Sequence, residues 1–189
     1  MAQEIVEHII ESAQERKQQA LLEPEAKEIC IAYGIPTPAF RVAHSPSEAT
    51  FLAEQVSFPV VLKIISEDIL HKTEAGGVIL SLNSKDQVKA AYEQLLSNVR
   101  GYKKDSRVDG VLVQHMAPRG VEVIVGGLRD DQFGPTVLFG LGGIFVEVLK
   151  DASFRVAPMT NLDTRQMIRE IHSYPILQGV RGQPPADED

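Results

Sequence analysis

The chain has 189 residues, with 19 basic against 26 acidic side chains and a formal net charge of −7. A length of this order is one large domain or two small lobes. A composition of 43% apolar and 24% charged residues excludes intrinsic disorder, collagen-like sequence and a coiled coil. No apolar run approaches the ~20 residues of a membrane helix. The first residues, Met1 to His8, lack the basic patch and apolar core of a signal peptide. Cys30 is the only cysteine, so no internal disulfide can form, and together these features favour the cytoplasm. The negative balance argues against nucleic acid as the main ligand; a nucleotide needs only a few local cations.

Apolar residues at Ile5, Val6, Ile9, Ile10 and Ala13 predict a helix or arm within residues 1–22, with a polar middle from Gln14 to Gln19. Glu23-Pro24-Glu25 starts a second helix with proline in its first turn, and Gly34 stops it. Ile35 to Pro38 is an extended connection, because residues before proline avoid the helical region. Ala39 to Ala43 reads as a short strand. Ser45-Pro46-Ser47-Glu48 is a capping box opening a helix through Ala49, Leu52, Ala53 and Val56. Val60–Ile65 and Gly77–Leu82 are strands, and Ser84 to Val99 is a helix buried through Val88, Ala91, Leu95 and Leu96. Gly110–Gln114, Val121–Val125, Pro135–Phe139, Ile144–Leu149 and Phe154–Ala157 are further strands, and Asn161 caps a helix through Met167, Ile168 and Ile171. Helix–strand alternation followed by stacked short strands predicts an α+β protein with two lobes and a nucleotide-sized cleft between them.

Four groups of residues can carry chemistry. Lys63 stands in an otherwise apolar strand; it is either a solvent-facing lysine on an edge strand or a cation that reaches a phosphate oxygen. The loop Ser66 to Gly77 holds His71, Lys72 and Thr73 and ends in Gly76-Gly77, whose backbone N–H groups can form an anion nest. His71 is either a surface residue or a nucleophile that accepts a phosphoryl group, a role imidazole suits near pH 7. Gln114 and Met116 end one strand where an adenine can lie, and Glu122 follows where a ribose hydroxyl can be met; a solvated strand face is the plainer reading. Phe139 to Glu147, with Asp151 and Arg155, is either a phosphate-handling glycine loop or a hairpin turn. No helix follows its glycines, which excludes a dinucleotide-binding fingerprint. No His/Cys metal spacing is present, and Cys30 reads as a packed thiol.

Glu23-Pro-Glu-Ala-Lys27, Phe58-Pro-Val-Val-Leu-Lys63, His71-Lys-Thr-Glu-Ala-Gly-Gly-Val78, Gly120-Val-Glu122 and Phe133-Gly-Pro135 through Glu147 together resemble the ATP-grasp domain of ADP-forming acyl-CoA synthetases. Among these they are closest to the β subunits of the acetyl-CoA synthetases, or acetate–CoA ligases. The resemblance runs from about Leu22 onward. It implies an ATP-grasp fold over residues 23–189, with lobe one at about 23–110, lobe two at about 111–189 and the nucleotide between them. It implies that acyl-CoA, ADP and phosphate are interconverted with free acid, CoA and ATP. The partner implied is a CoA-binding α subunit or domain that carries its own phosphohistidine and contacts the acyl-CoA, in a hetero-oligomer. By matching position, Lys63 contacts the nucleotide phosphates; Gly76, Gly77 and Val78 line the phosphate pocket; Gln114 and Met116 border the adenine; and Glu122 lies near the ribose. The resemblance makes His71 a second phosphoryl carrier, and Lys63, Lys72 and Arg155 are expected to gather at one cleft.

The cofactors implied are ATP or ADP with Mg2+, whose ligands belong to a C-terminal segment that the sequence to Asp189 does not show. The ending Gly179 to Asp189 reads as a helix start without a body, so a truncated, weakly binding and inactive fragment is expected. Two other readings stand beside this one. One is a regulatory module like those fused to protein-lysine acetyltransferases, without synthetase turnover. The other is an ATP-grasp ligase that forms an acyl-phosphate directly and has no use for the His71 loop.

Overall fold

In the computed structural model, which describes residues 1–143, 151–180, 182 and 184–188, the β-branched run Val60–Ile65 becomes β2 of a four-stranded sheet. The order is β1 (Phe40–Ala43), β4 (Gly110–His115), β2, β3 (Val78–Leu82), and every neighbouring pair is antiparallel. β2 is therefore interior, which removes the reading of Lys63 as an edge-strand lysine.

One face of this sheet is a core. Val60, Leu62 and Ile64 of β2 and Val111 and Val113 of β4 pack under α3 (Pro46–Val56) and α4 (Lys85–Tyr102), whose Ala49, Ala53, Val88, Leu95 and Val99 are fully buried. Each buried aliphatic side chain stabilises by about 1.5–3 kcal/mol. Both helices begin where a serine oxygen accepts a backbone N–H: Ser45 from Glu48 at 3.2 Å and Ser84 from Gln87 at 3.3 Å. The Glu48 carboxylate reaches back one residue further than a capping box requires, to the N–H of His44 at 2.7 Å.

α1 (Ala2–Glu15) buries Val6, Ile9 and Ala13 and packs beside α2 (Glu23–Ala32). α2 has Pro24 in its first turn, and Gly34 follows it at φ +76°, a conformation that only glycine adopts freely. The first unit runs from Met1 to Ala117. The sequence placed the boundary near residue 110. It lies further on because β4 pairs with both β1 and β2 and so belongs to the first sheet.

The second unit, from Pro118 onward, is built on the antiparallel sheet β5 (Val123–Asp130), β6 (Gly134–Leu141), β7 (Ala152–Val156). Phe139 and Leu141 pack against Met167 and Ile171 and against Leu177; α5 is Asn161–Glu170 and α6 is Tyr174–Leu177. Thr160, not Asn161, caps α5: its hydroxyl accepts from the N–H of Asp163, whose carboxylate accepts from the N–H of Thr160. The strand expected at Ile144–Leu149 lies outside the described residues. Residues 184–188 are not helical, contrary to the helix start read there. The N–H of Ala186 donates to the carbonyl of Leu177 and Tyr174 Oη donates to Glu188, while Pro184-Pro185 disfavours helical backbone. Among the described residues, no helix is long and apolar enough to cross a membrane.

Candidate functional site

Residues directly opposite one another in an antiparallel ladder point to the same face. Lys63 lies opposite Leu112 on β4 and Val78 on β3, and Val61 lies opposite Gln114. Since Val61 and Lys63 are two residues apart on β2, the register puts Lys63, Val78 and Gln114 on one face of the first sheet. This is the face away from α3 and α4. α2 lies over it, with Lys27 Nζ 5.7 Å from the centre of the Phe40 ring.

Glu23, at the start of α2, organises this face. Lys63 Nζ donates to its Oε1 at 2.7 Å, Lys72 Nζ to its Oε2 at 2.8 Å, and Lys27 Nζ stands 4.0 Å from Oε1. Burial on its own raises the Glu23 pKa, but the hydrogen bonds and charges of Lys63 and Lys72 outweigh it and hold the carboxyl below its ordinary 4.5. Burial lowers the Lys27 pKa from 10.5, opposed by Glu23 and assisted by Lys63. The sequence reading missed Glu23 and Lys27. Their i, i+4 spacing from the helix start placed both on one face, but nothing local pointed to partners 40 and 49 residues away.

Gln114 adds a second feature. It is buried, and among the described residues its Oε1 has no hydrogen-bond partner. A buried orphan acceptor awaits a donor, and the exocyclic amine of a purine is one. Met116 follows beyond β4: its N–H donates to the Pro59 carbonyl at 2.9 Å, and its sulfur accepts from Ser81 Oγ at 3.6 Å. Ser81 sits at φ +61° where the β2–β3 register shifts.

His71 is exposed in the loop between β2 and β3. The loop closes by its own backbone bonds: Ala75 N–H to the His71 carbonyl at 3.1 Å, Gly76 N–H to Thr73 at 3.1 Å and Gly77 N–H to Lys72 at 2.7 Å. The anion nest expected of Gly76 and Gly77 is therefore not formed, because both N–H groups are spent on the turn. A Cβ at Gly77 would lie 2.7 Å from Ile64 Cγ2, so glycine here allows the loop to close against β2. This closure brings Lys72 to Glu23.

In the second unit, Glu122 lines a cavity of about 410 Å3 with Gly120, Val121, Leu141, Gly142, Gly143 and Ile176. It precedes β5 instead of lying within the strand. Its carbonyl accepts from Gly142 N–H at 2.7 Å, and a Cβ at Gly143, which has φ +62°, would meet its Oε2 at 2.8 Å. Asp151 and Arg155 have structural partners. The Asp151 carboxylate accepts from the N–H groups of His172 and Ser173 at 2.9 and 2.7 Å and from the Ser173 hydroxyl. Arg155 donates to Glu170 at 2.5 Å and to the Phe154 carbonyl. Of the three cations expected together, Lys63 and Lys72 meet on Glu23, and Arg155 belongs to the second unit. Glu147 lies outside the described residues. Among the described residues, no group of three or more His, Cys, Asp or Glu side chains can hold a metal ion, so the implied magnesium finds no ligand set there.

The chain matches the family model of the ATP-grasp domain over residues 12–189. It is 51% identical over 179 residues to the β subunit of acetate–CoA ligase (ADP-forming) I of Pyrococcus furiosus, covering 95% of this chain and 77% of that subunit. It is 45% identical over 188 residues to the acetate–CoA ligase (ADP-forming) I of Archaeoglobus fulgidus, and there it spans only 27% of a longer chain. It superposes with a TM-score of 0.94 and 46% identity on the dinucleotide forming acetyl-coenzyme A synthetase 1 of Ca. Korarchaeum cryptofilum in complex with coenzyme A and Ca-AMPCP, covering 96% of this chain and 79% of that one. Another structure of that synthetase, with coenzyme A and Mg-AMPPCP, has its phosphohistidine segment pointing towards the nucleotide binding site. The chain thus belongs to the ATP-grasp family, in the branch that includes the β subunits of ADP-forming acetate–CoA ligases.

Proposed function

We propose that this chain is the nucleotide-binding part of an ADP-forming acyl-CoA synthetase. With a CoA-binding partner it interconverts acyl-CoA, ADP and phosphate with free acid, CoA and ATP, and it works in the cytoplasm as part of a hetero-oligomer. The observation that carries this reading is the face of the first sheet where Lys27, Lys63 and Lys72 converge beside the unpaired Oε1 of Gln114. Three ammonium groups suit a phosphate chain, and a buried acceptor on the same face suits a purine amine. Glu122, in its own cavity, is assigned to a ribose hydroxyl. The partner is supported by relatives that occur both as a separate β subunit and as one longer chain.

Phosphoryl transfer is mainly positioning and charge neutralisation. In this reading Lys63 and Lys72 neutralise the phosphate oxygens, and Gly76, Gly77 and Val78 shape the wall beside them. A ring nitrogen of His71 attacks the phosphorus of the partner's phosphohistidine, and the partner's N–P bond breaks. A terminal oxygen of ADP then attacks the same phosphorus, and the His71 N–P bond breaks to leave ATP and free imidazole. Magnesium, when bound, supplies further charge neutralisation. The ligase relatives favour this reading over the regulatory alternative.

The test combines a form of this subunit as long as the β subunits it resembles with a CoA-binding partner subunit, and measures ATP formed from acetyl-CoA, ADP and phosphate. His71→Ala is expected to reduce ATP formation to background while nucleotide binding persists. Undiminished turnover in that variant overturns the carrier role, and no ATP formation by the unmodified full-length form with any acyl-CoA overturns the synthetase reading.

A further inference from the structure

The two lysines assigned to phosphate already hold an anion. Lys63 donates to one oxygen of the Glu23 carboxylate and Lys72 to the other, at 2.7 and 2.8 Å. Two oxygens of a phosphate group present the same pattern of adjacent acceptors on one centre. Three ammonium groups against one carboxylate leave an excess of two positive charges, so the group retains attraction for a phosphate. The side chains of Lys63, Lys72 and Glu23 are 24%, 23% and 23% exposed, enough for an anion to reach them from solvent.

Resting on the nucleotide reading above, we propose that Glu23 is a built-in counter-anion of the phosphate site. It holds Lys63 and Lys72 in place while the site is empty and hands them to phosphate oxygens when nucleotide binds. The exchange has somewhere to leave the carboxylate. Glu23 is in the first turn of α2, where unpaired N–H groups favour negative charge, and Lys27 one turn along remains beside it. The lysines are kept ordered between turnovers, so binding does not begin from two freely rotating side chains. The competing carboxylate also loosens nucleotide binding, which favours release in a reaction that must run in both directions.

Calorimetric titration of ADP and ATP into the chain, as wild type, Glu23→Gln and Glu23→Asp, tests this. Glu23→Gln is expected to bind three- to tenfold more tightly, about what the loss of one partly exposed competing pair supplies. Its affinity should also fall more steeply with salt, because the site carries one more net positive charge. Glu23→Asp keeps the charge with a shorter reach and should gain less. A purely structural role predicts the opposite sign, since a disordered site binds more weakly. Equal or weaker binding by Glu23→Gln, with a cooperative thermal melt, overturns the proposal. If Glu23→Gln does not fold, unchanged or weaker binding by Glu23→Asp overturns it. A wild-type chain that binds no nucleotide defeats the nucleotide reading and this proposal together; wild-type binding with an unchanged Glu23→Gln defeats the exchange alone.

Discussion

Lys63 stands on an interior strand, where an ammonium without a partner costs several kcal/mol. Glu23 offsets that cost by accepting from Lys63 Nζ at 2.7 Å. Since the Glu23 carboxyl is held below its ordinary 4.5, the unfolded chain binds the extra proton first as pH falls. The stability from Glu23 is then fully present above about pH 4.5 and is lost as pH drops through the folded value. The stability difference between wild type and Glu23→Gln, about 1 kcal/mol for partly exposed pairs, should stay flat from about pH 5 to 8 and shrink below that range. Urea melts across pH measure it. Lys63→Ala has a different signature. It removes one charge-assisted contact from the proposed phosphate site and should weaken nucleotide binding about tenfold or more. Its melt should remain cooperative, because the core on the other face of β2 is untouched. Unchanged affinity by calorimetry would remove Lys63 from the site.

At the scale of elements, the loop between β2 and β3 is the piece on which site and fold most depend on each other. Its closure uses Gly77, whose N–H bonds to the Lys72 carbonyl and whose own carbonyl accepts from Ile64 N–H at 2.8 Å. A methyl group there would press on Ile64 Cγ2 at 2.7 Å and on the Lys72 carbonyl at 3.1 Å. Gly77→Ala should cost about 1–3 kcal/mol by overpacking. It should also displace Lys72 from Glu23, so nucleotide affinity and thermal stability change together; a variant that melts and binds as wild type would show that the contact relaxes freely. This coupling was only half legible in the sequence. The glycine pair and its basic neighbours were plain in the string from His71 to Val78, and so were the helix starts at Ser45 and Ser84, because caps and turns are local chemistry. The use of the glycine N–H groups was not, because it depends on how the loop meets Ile64. Nor was the interior position of β2, because β4, the strand that flanks it, is distant in the chain: Lys63 pairs with Leu112, 49 residues further along.

The whole molecule is divided by its cores. The cluster around Leu62, Leu95 and Val113 belongs to the first unit, and the cluster around Phe139, Leu141 and Met167 to the second; they share no residue. The sequence showed the change from helix–strand alternation to stacked strands, but put the division at the wrong end of β4, because strand pairing is not a local property. Separate cores make separate costs. Met167 is 2% exposed and packs beneath β6 and β7, with its carbonyl accepting from the Ser153 hydroxyl at 2.7 Å. Met167→Ala should destabilise the second unit by about 2–5 kcal/mol, and Leu95→Ala should do the same to the first. Contacts within one core do not reach the other, so the double variant should lose the sum of the two within about 0.5 kcal/mol. Scanning calorimetry gives a sharp outcome: Met167→Ala should pull one part of the transition to lower temperature and leave the rest in place. A single transition that moves as a whole would mean that the units unfold as one cooperative body, and that the cavity at Glu122 and the lysine face of the first sheet are gained and lost together.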